Sequence, residues 1–334
     1  MTIGSGLGAQ LGMAAETTYG TGVAPSRFLE AESFSVDKVK NPATWSGLAA
    51  GRLVDRADGR VIVTRAATAA FNNLAVTNRD LGVLLNMIMG GTVTPLIQGA
   101  GPAYLQTHPL VDTAGKFATI QVGNPLTGGS VVPQTATGCK VTSASFECGV
   151  GELLMANVEW DARDVTEATG LATPSYPASR RPFSFADMAV KVGATTGTAA
   201  SVTGNVRKVT LNIERSLKTD RFYAGGAGLK DEPITNDKVG ISGSIETDYT
   251  TAAAFADRYR DDTPFALVWE FVGPLIASTF FQTIRFTLPV CYLNSGTPEV
   301  SGPDVVSPTF EFVAMNDLTN PPLTIEYIST DTAL

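Results

Sequence analysis

Apolar and polar residues take turns along Val209-Thr210-Leu211-Asn212-Ile213-Glu214 and again along Ile241-Ser242-Gly243-Ser244-Ile245-Glu246-Thr247. A period of two sets one side of each segment on a core and the other in water, the pattern of half-buried antiparallel strands. The same reading predicts strands over 27–36, 60–68, 117–122, 140–148, 153–160, 186–192, 265–271, 281–292, 309–313 and 323–328. Only two segments carry helical spacing. Asn78 can cap a helix over 79–89 that Gly90 and Gly91 end, and Phe255 and Tyr259 share one face of 250–260 at i, i+4. The fold expected is mainly β.

The chain has 334 residues, 44% of them hydrophobic, enough for about two domains at roughly 150 residues each. The two halves repeat an element order. Arg60-Val61-Ile62-Val63 parallels Lys238-Val239-Gly240-Ile241 at an offset of 178, and each is followed by a helix. Ser143 to Glu147 parallels Ser307 to Glu311 at 164, and Val158-Glu159-Trp160 parallels Ile325-Glu326-Tyr327 at 167. Each half also has a long polar excursion between its first strands, 38–59 and 218–237, and such loops are uncommon unless they bind something. Pro174, Pro177 and Pro182 mark a linker. The organisation expected is an arm over 1–24, a domain over 25–165, a linker over 166–182 and a second domain over 183–334.

The inventory of reactive groups is thin. His108, the single histidine, stands beside Pro109 with no orienting carboxylate or nucleophile nearby in sequence. Cys139, Cys148 and Cys291 are an odd number without CxxC spacing, which reads as reduced, buried residues rather than a disulfide framework or a zinc site. Gly4-Ser5-Gly6-Leu7-Gly8 follows no strand, Ala114-Gly115-Lys116 lacks the rest of a phosphate loop, and 223–228 leads into no helical pattern. Asp261 and Asp262 precede Thr263-Pro264, where solvated acids are ordinary. No cofactor, metal or catalytic role is expected. The longest apolar stretch, 81–89, is far short of the roughly 20 residues of a membrane helix. The N-terminus shows no basic region followed by an apolar one, so synthesis and retention in a cytoplasm are expected.

Gly8-Ala9-Gln10-Leu11-Gly12, Glu16-Thr17-Thr18-Tyr19-Gly20-Thr21 and Pro25-Ser26-Arg27-Phe28-Leu29-Glu30 are similar to the opening of one branch of the tail tube proteins, or major tail proteins, of long-tailed bacteriophages. Pro308 to Phe312 followed by Leu323 to Tyr327 is consistent with that resemblance. It implies a β-sandwich flanked by a helix, assembled in rings that stack into a hollow tube through which DNA passes. It also implies that the N-terminal arm (8–21) and a long loop (41–58) reach the neighbouring ring, with Gln10, Leu11, Glu16, Tyr19, Trp45, Arg52, Asp55 and Arg56 as contacts. One tube domain needs about half this chain. Tandem β-sandwich or barrel tail-tube-like domains, each with one flanking α-helix, would account for the length, and three chains would then close a ring of pseudo-sixfold symmetry. The alternative is a six-chain ring in which the second half is an external decoration domain. The partners implied are further copies of the chain, a tape-measure protein and a tail terminator, with no membrane. DNA passes through the lumen without specific binding. The location implied is the virion tail, assembled in the host cytoplasm.

Lys and Arg number 24 against 32 Asp and Glu, a formal charge of −8. Counterion release on phosphate needs clustered cations, so an acidic wall would let DNA slide, although the same charge also serves solubility. Thr210, Asn212, Glu214, Ser242, Ser244, Glu246 and Asp248 share one polar register and are lumen candidates. The other reading puts that face in bulk solvent outside the tube. A head decoration or fibre protein, or a carbohydrate-binding β-sandwich, are the alternative functions. Trp45, Trp160 and Trp269 are too scattered for an obvious sugar platform.

Overall fold

The computed structural model describes residues 3–4, 6–201, 206–249, 255–297, 303 and 305–334. Its first half runs β1 (Gln10–Ala15), β2 (Arg27–Leu29), β3 (Ala31–Thr44), β4 (Arg60–Ala75), α1 (Gly82–Met89), β5 (Leu96–Gln98), β6 (Ala103–Pro109), β7 (Ala118–Pro125), β8 (Val131–Gly149), β9 (Met155–Ala162) and β10 (Asp164–Thr166). The second runs β11 (Met188–Gly193), β12 (Ala200–Ser201), β13 (Val206–Glu214), β14 (Leu217–Lys218), β15 (Ile234–Thr235), β16 (Gly240–Thr247), α2 (Ala256–Arg260), β17 (Phe265–Ala277), β18 (Phe280–Leu293), β19 (Thr309–Ala314) and β20 (Thr324–Ser329). The protein is mainly β, and all the ladders between these strands are antiparallel.

The pairings repeat. In the first half the order β3-β4-β9-β8 continues through β8 into β7, β1 and β2, with β10 on the opposite edge of β8 from β7. In the second, β13-β16-β19-β18 continues into β17, β11 and β12, with β20 opposite β17. Even an irregularity is matched. The β7–β8 register shifts between Ala118 and Ile120, opposite Cys139 and Ala136, while β17–β18 shifts between Phe265 and Leu267, opposite Cys291 and Leu288. These pairs fix the counterparts of β8 and β9 152 residues on, so Lys140 opposite Asp161 becomes Tyr292 opposite Val313. Those of β4 lie 174 residues on, so Thr68 opposite Asp161 becomes Ser242 opposite Val313. The expected offsets of 164 and 167 had joined β8 to β19 and β9 to β20, one strand out, because short alternating segments look alike. The offset of 178 for β4 was four residues too long.

Among the described residues two ladders cross between the halves. β8 pairs with β13, which makes β3-β4-β9-β8-β13-β16-β19-β18 one eight-stranded sheet, and β6 pairs with β20. The apolar face of that sheet carries Phe71, Trp160, Phe146, Leu211, Ile245 and Phe312, all within a single buried cluster, and Phe146 meets Phe286 of β18 at 5.0 Å.

Several expectations change at residue level. The segment read as an arm contains β1, which is buried on both faces between β2 and β7. The excursion over 38–59 is strand only over its first seven residues, 38–44, where β3 stays paired with β4 as far as Thr44 and Arg60. α1 begins at Gly82 and not at 79, since Asp80 has φ +66° and Asn78 is used instead to hold Arg181 N at 2.8 Å. All eight residues of α1 are buried. Seven of the eight are apolar or glycine and Asn86 spends its amide on Gly90 O at 3.2 Å, so the helix sits inside the molecule rather than on an outer sheet face. In the second helix Phe255 stacks on Phe310 at 5.4 Å, and the expected 250–254 lie outside the described residues.

Candidate assembly surfaces

Of the eight contact candidates, three are interior and a fourth, Tyr19, is half-buried. Leu11 is fully buried in β1, and Gln10 Nε2 donates to Ala172 O at 2.8 Å, tying β1 to the linker. Glu16 is buried with a full set of donors: Gly20 N at 2.9 Å on one oxygen, Thr119 Oγ1 at 2.8 Å and Gly138 N at 2.9 Å on the other. Tyr19 packs edge-on against Phe117 under the Arg163 guanidinium, and burial pushes its phenol well up, with Asp161 adding to the shift. The three buried side chains have no surface left for a neighbour, and Tyr19 keeps only part of its own. These four hold the fold.

The other four sit at the end of the β3–β4 hairpin, which is exposed through 37–63 apart from the half-buried Gly59 and leaves the body beyond Lys38, whose Nζ donates to Val165 O at 2.8 Å. Trp45 N donates to Gly59 O at 3.0 Å, closing the ladder. Beyond it Arg56 pairs with Asp58, Ser46 Oγ meets Asp55 at 3.2 Å, and Arg52 N donates to Ala49 O in a turn. The tip also bears apolar residues that the alternation did not single out: Leu48 and Leu53 are fully exposed, Val54 is 83% exposed and Trp45 71%. Four large apolar side chains exposed within 45–54 of one projecting hairpin are more than an ordinary solvated loop carries.

The second excursion behaves differently. β13 stops at Glu214 because Ser216 takes φ +49° and the buried Arg215 is clamped to α1, Nε to Ile88 O at 2.7 Å and Nη1 to Val111 O at 2.9 Å. A cation on the last carbonyls of a helix is favourably placed. Burial nevertheless lowers the Arg215 pKa to about 10. The chain then folds back on the first half. Lys230 pairs with Asp161, both buried, and Lys140 pairs with Glu232, whose carboxylate also receives Gly115 N at 2.8 Å. Gly228 O accepts from Arg65 N at 2.8 Å. Gly228 has φ +76°, and a Cβ there would lie 2.6 Å from Val63 O, so only glycine lets the loop approach this closely.

The lumen candidates lie together on the polar face of the eight-stranded sheet. Asn212 stands between Ser145 and Ser242, and Thr210 between Glu147 and Ser244, which in turn faces Glu311. Thr210 and Ser244 share a hydrogen bond at 2.8 Å. The face continues through Glu159, whose carboxylate accepts from Ser143 Oγ at 3.2 Å, and Asp37, opposite Thr68. It is not free of cations, as the seven positions alone implied. Lys208 meets Glu147 at 3.1 Å, and Arg207 meets Glu246 at 3.6 Å and Asp248 at 3.4 Å. The Glu147 carboxylate holds the Lys208 pKa up. Glu214, Glu159, Glu311 and Asp37 leave the face acidic.

The remaining reactive groups singled out in the sequence, His108 and the three cysteines, are buried. His108 is fully buried in β6 with Nε2 3.3 Å from Gln106 Oε1, and burial lowers its pKa to about 4. The three cysteines are buried and free, and burial pushes the Cys148 thiol up to about 12. Among the described residues no group of three or more His, Cys, Asp or Glu is placed to hold a metal ion, and no helix is long and apolar enough to cross a membrane. Trp160 and Trp269 are core residues, which leaves Trp45 as the exposed tryptophan.

No curated protein matches this sequence. A family model described as phage tail tube protein matches residues 6–314, so a single model spans both halves, the projecting hairpin and the polar face. The chain belongs to the phage tail tube protein family and is a structural β-protein of that kind.

Proposed function

We propose that three copies of this chain close a ring, that rings stack into the tail tube, and that the polar face of the eight-stranded sheet lines a channel for DNA. The observation that carries the reading is the repeated pairing. Within the chain, β13 gives one edge to β16 and the other to β8. Its counterpart β3 is paired only with β4 among the described residues. An open edge is a template for another strand, and a closed ring removes it. If the second half of one chain meets β3 of the next as β8 meets β13, three chains supply six equivalent units. The buried Gln10, Leu11 and Glu16 drop out of the contact set, and so does the half-buried Tyr19, whose ring is packed between Phe117 and Arg163. Trp45, Arg52, Asp55 and Arg56 stay in it, projected toward another copy.

The channel wall then presents hydroxyls, amides and more carboxylates than cations, so phosphates meet few partners and DNA slides instead of sticking. During assembly the same lumen would enclose a tape-measure protein, and a terminator would close the last ring. Tail location and assembly in the host cytoplasm follow from the same reading. Electron microscopy of the concentrated protein tests it: rings or tubes are expected, and monomers at every concentration would overturn it.

A further inference from the structure

The register of the first half sets its two ends apart. β3 and β4 pair from Ala31 and Leu74 out to Thr44 and Arg60, so the hairpin projects at the end where β9 stops at Ala162 and β8 meets it at Lys140. The opposite end, where β3 begins and β4 finishes, carries the turn between β8 and β9 over 150–154. From Lys38 to Thr44 a strand advances about 20 Å, enough to carry the tip clear of the body. A stack of like rings is a head-to-tail assembly, in which one end of each ring meets the other end of the next. The hairpin end of one ring therefore faces the β8–β9 turns of its neighbour.

The two ends are complementary. The tip bears Leu48, Leu53 and Val54 with the exposed Arg52 among them. The turn bears Val150, 60% exposed, and Leu153, 41% exposed, on either side of the exposed Glu152. Among the described residues neither Arg52 nor Glu152 lies within salt-bridge distance of an opposite charge, whereas nearby Arg56 is paired with Asp58 and Glu147 with Lys208. The turn is also firmly held: Glu152 N donates to Gly149 O at 3.0 Å, Phe185 N to Glu152 O at 3.0 Å and Leu154 N to Phe183 O at 2.9 Å. At the same end of the second half, Asp248 stands beside the exposed Tyr249 and is already paired with Arg207 at 3.4 Å.

We propose that the β8–β9 turn of a first half is the seat for the β3–β4 hairpin tip of a chain in the adjoining ring, with Leu53 and its neighbours against Val150 and Leu153 and Arg52 on Glu152. This rests on the reading that rings stack, and adds to it the surface that receives the tip. The tucked loop of the second half projects no tip of its own, so every contact of this kind joins two first halves, three for each pair of rings. Opposite charges at the centre of an apolar contact fix its register.

The test uses the full-length chain with Leu53→Cys and Val150→Cys, assembled into tubes and treated with a short thiol-to-thiol cross-linker. The native cysteines are buried, so the two new thiols are the accessible pair. Because each ring passes its tips to the next, covalent ladders running well beyond three chains are expected, and each single variant should give none. Products no larger than a trimer once the thiols are consumed would put the tip inside its own ring and overturn the proposal, as would intact tubes that do not cross-link. Leu53→Cys with Tyr249→Cys should give no ladder, and a ladder from that pair would move the seat to a second half. Charge reversal supplies a second arm: Arg52→Glu should leave rings that do not stack, and adding Glu152→Arg should restore tubes. Absence of rings and tubes from the unmodified protein would sink the stacking reading itself, while tubes that survive both Arg52→Glu and Val150→Asp would sink this inference alone.

Discussion

The loops that follow β3 and β13 are counterparts of nearly equal length, yet one stands in solvent and the other is docked on the first half through the buried Lys230. The difference starts in the backbone. Beyond Lys40 and before Arg65 the first loop keeps zipping as a hairpin to Thr44 and Arg60, whereas Ser216 at φ +49° and the clamp on Arg215 stop the second one at Glu214. Their tips then carry opposite chemistry: Leu48, Leu53 and Val54 on the first, Lys230 and Glu232 on the second. Equivalent positions in a duplicated chain have been assigned to different jobs. The tucked loop ties the halves together, and in the proposed ring the extended one is left for another copy.

The largest expected effect lies in the tucked loop. Lys230→Met strands the buried Asp161 carboxylate, which burial already pushes toward the neutral form, and should cost about 3–5 kcal/mol in denaturant unfolding. The double variant Lys230→Met with Asp161→Leu should recover most of that loss, because it removes both charges. No recovery would mean that the ion pair is not what holds the loop.

Acid sharpens the comparison next, because His108 sits on the β6–β20 seam between the halves while the hairpin tip holds no buried titratable group. The folded-state pKa of about 4 lies below the ordinary 6.5, so protons favour the unfolded chain. Stability present above about pH 6.5 should be lost as pH falls toward 4, by about 3 kcal/mol. His108→Leu should flatten that slope, and shortening 45–58 should leave it unchanged; unfolding midpoints across pH 4 to 7 would show which segment responds.

Smaller again is Gly228→Ala, which imposes a side chain at φ +76° and 2.6 Å from Val63 O. Strain and displacement of the loop should cost about 1–3 kcal/mol, with faster amide exchange at Arg65 as the local sign. Leu53→Asp in the tip should change the unfolding free energy of the isolated chain by less than about 0.5 kcal/mol while preventing assembly. Equal destabilisation by the two substitutions would erase the distinction between the loops.

Much of this fold is legible in the sequence, and the exceptions have physical causes. β13 and β16 read clearly because each has one wet face. β1 does not, since Leu11 and Met13 on one side and Gln10, Gly12 and Ala14 on the other are nearly all buried, which erases alternation and lets glycines and alanines pass for a flexible arm. The duplication is visible as element order, but its register depends on pairings such as Cys139 with Ala118 and Cys291 with Phe265 that no local pattern encodes. On the polar face, Lys208 stands in the same even-numbered register as Thr210 and Asn212 and was there to be read. Arg207 was not, because it joins Glu246 and Asp248 only through the irregularity between Val206 and Lys208. The apolar tip was masked by its neighbours: Arg52, Asp55 and Arg56 make 45–58 look like an ordinary polar loop, and only the structure shows Leu48 and Leu53 with nothing to cover them.

The central claim is that one chain supplies two equivalent units, so the number of chains in a ring tests it most directly. Native mass measurement of the purified rings, with symmetry analysis of their end views, should give three copies of the chain arranged as a pseudo-hexagon. Six copies per ring would contradict the account, because the second half would then decorate the tube instead of building its wall.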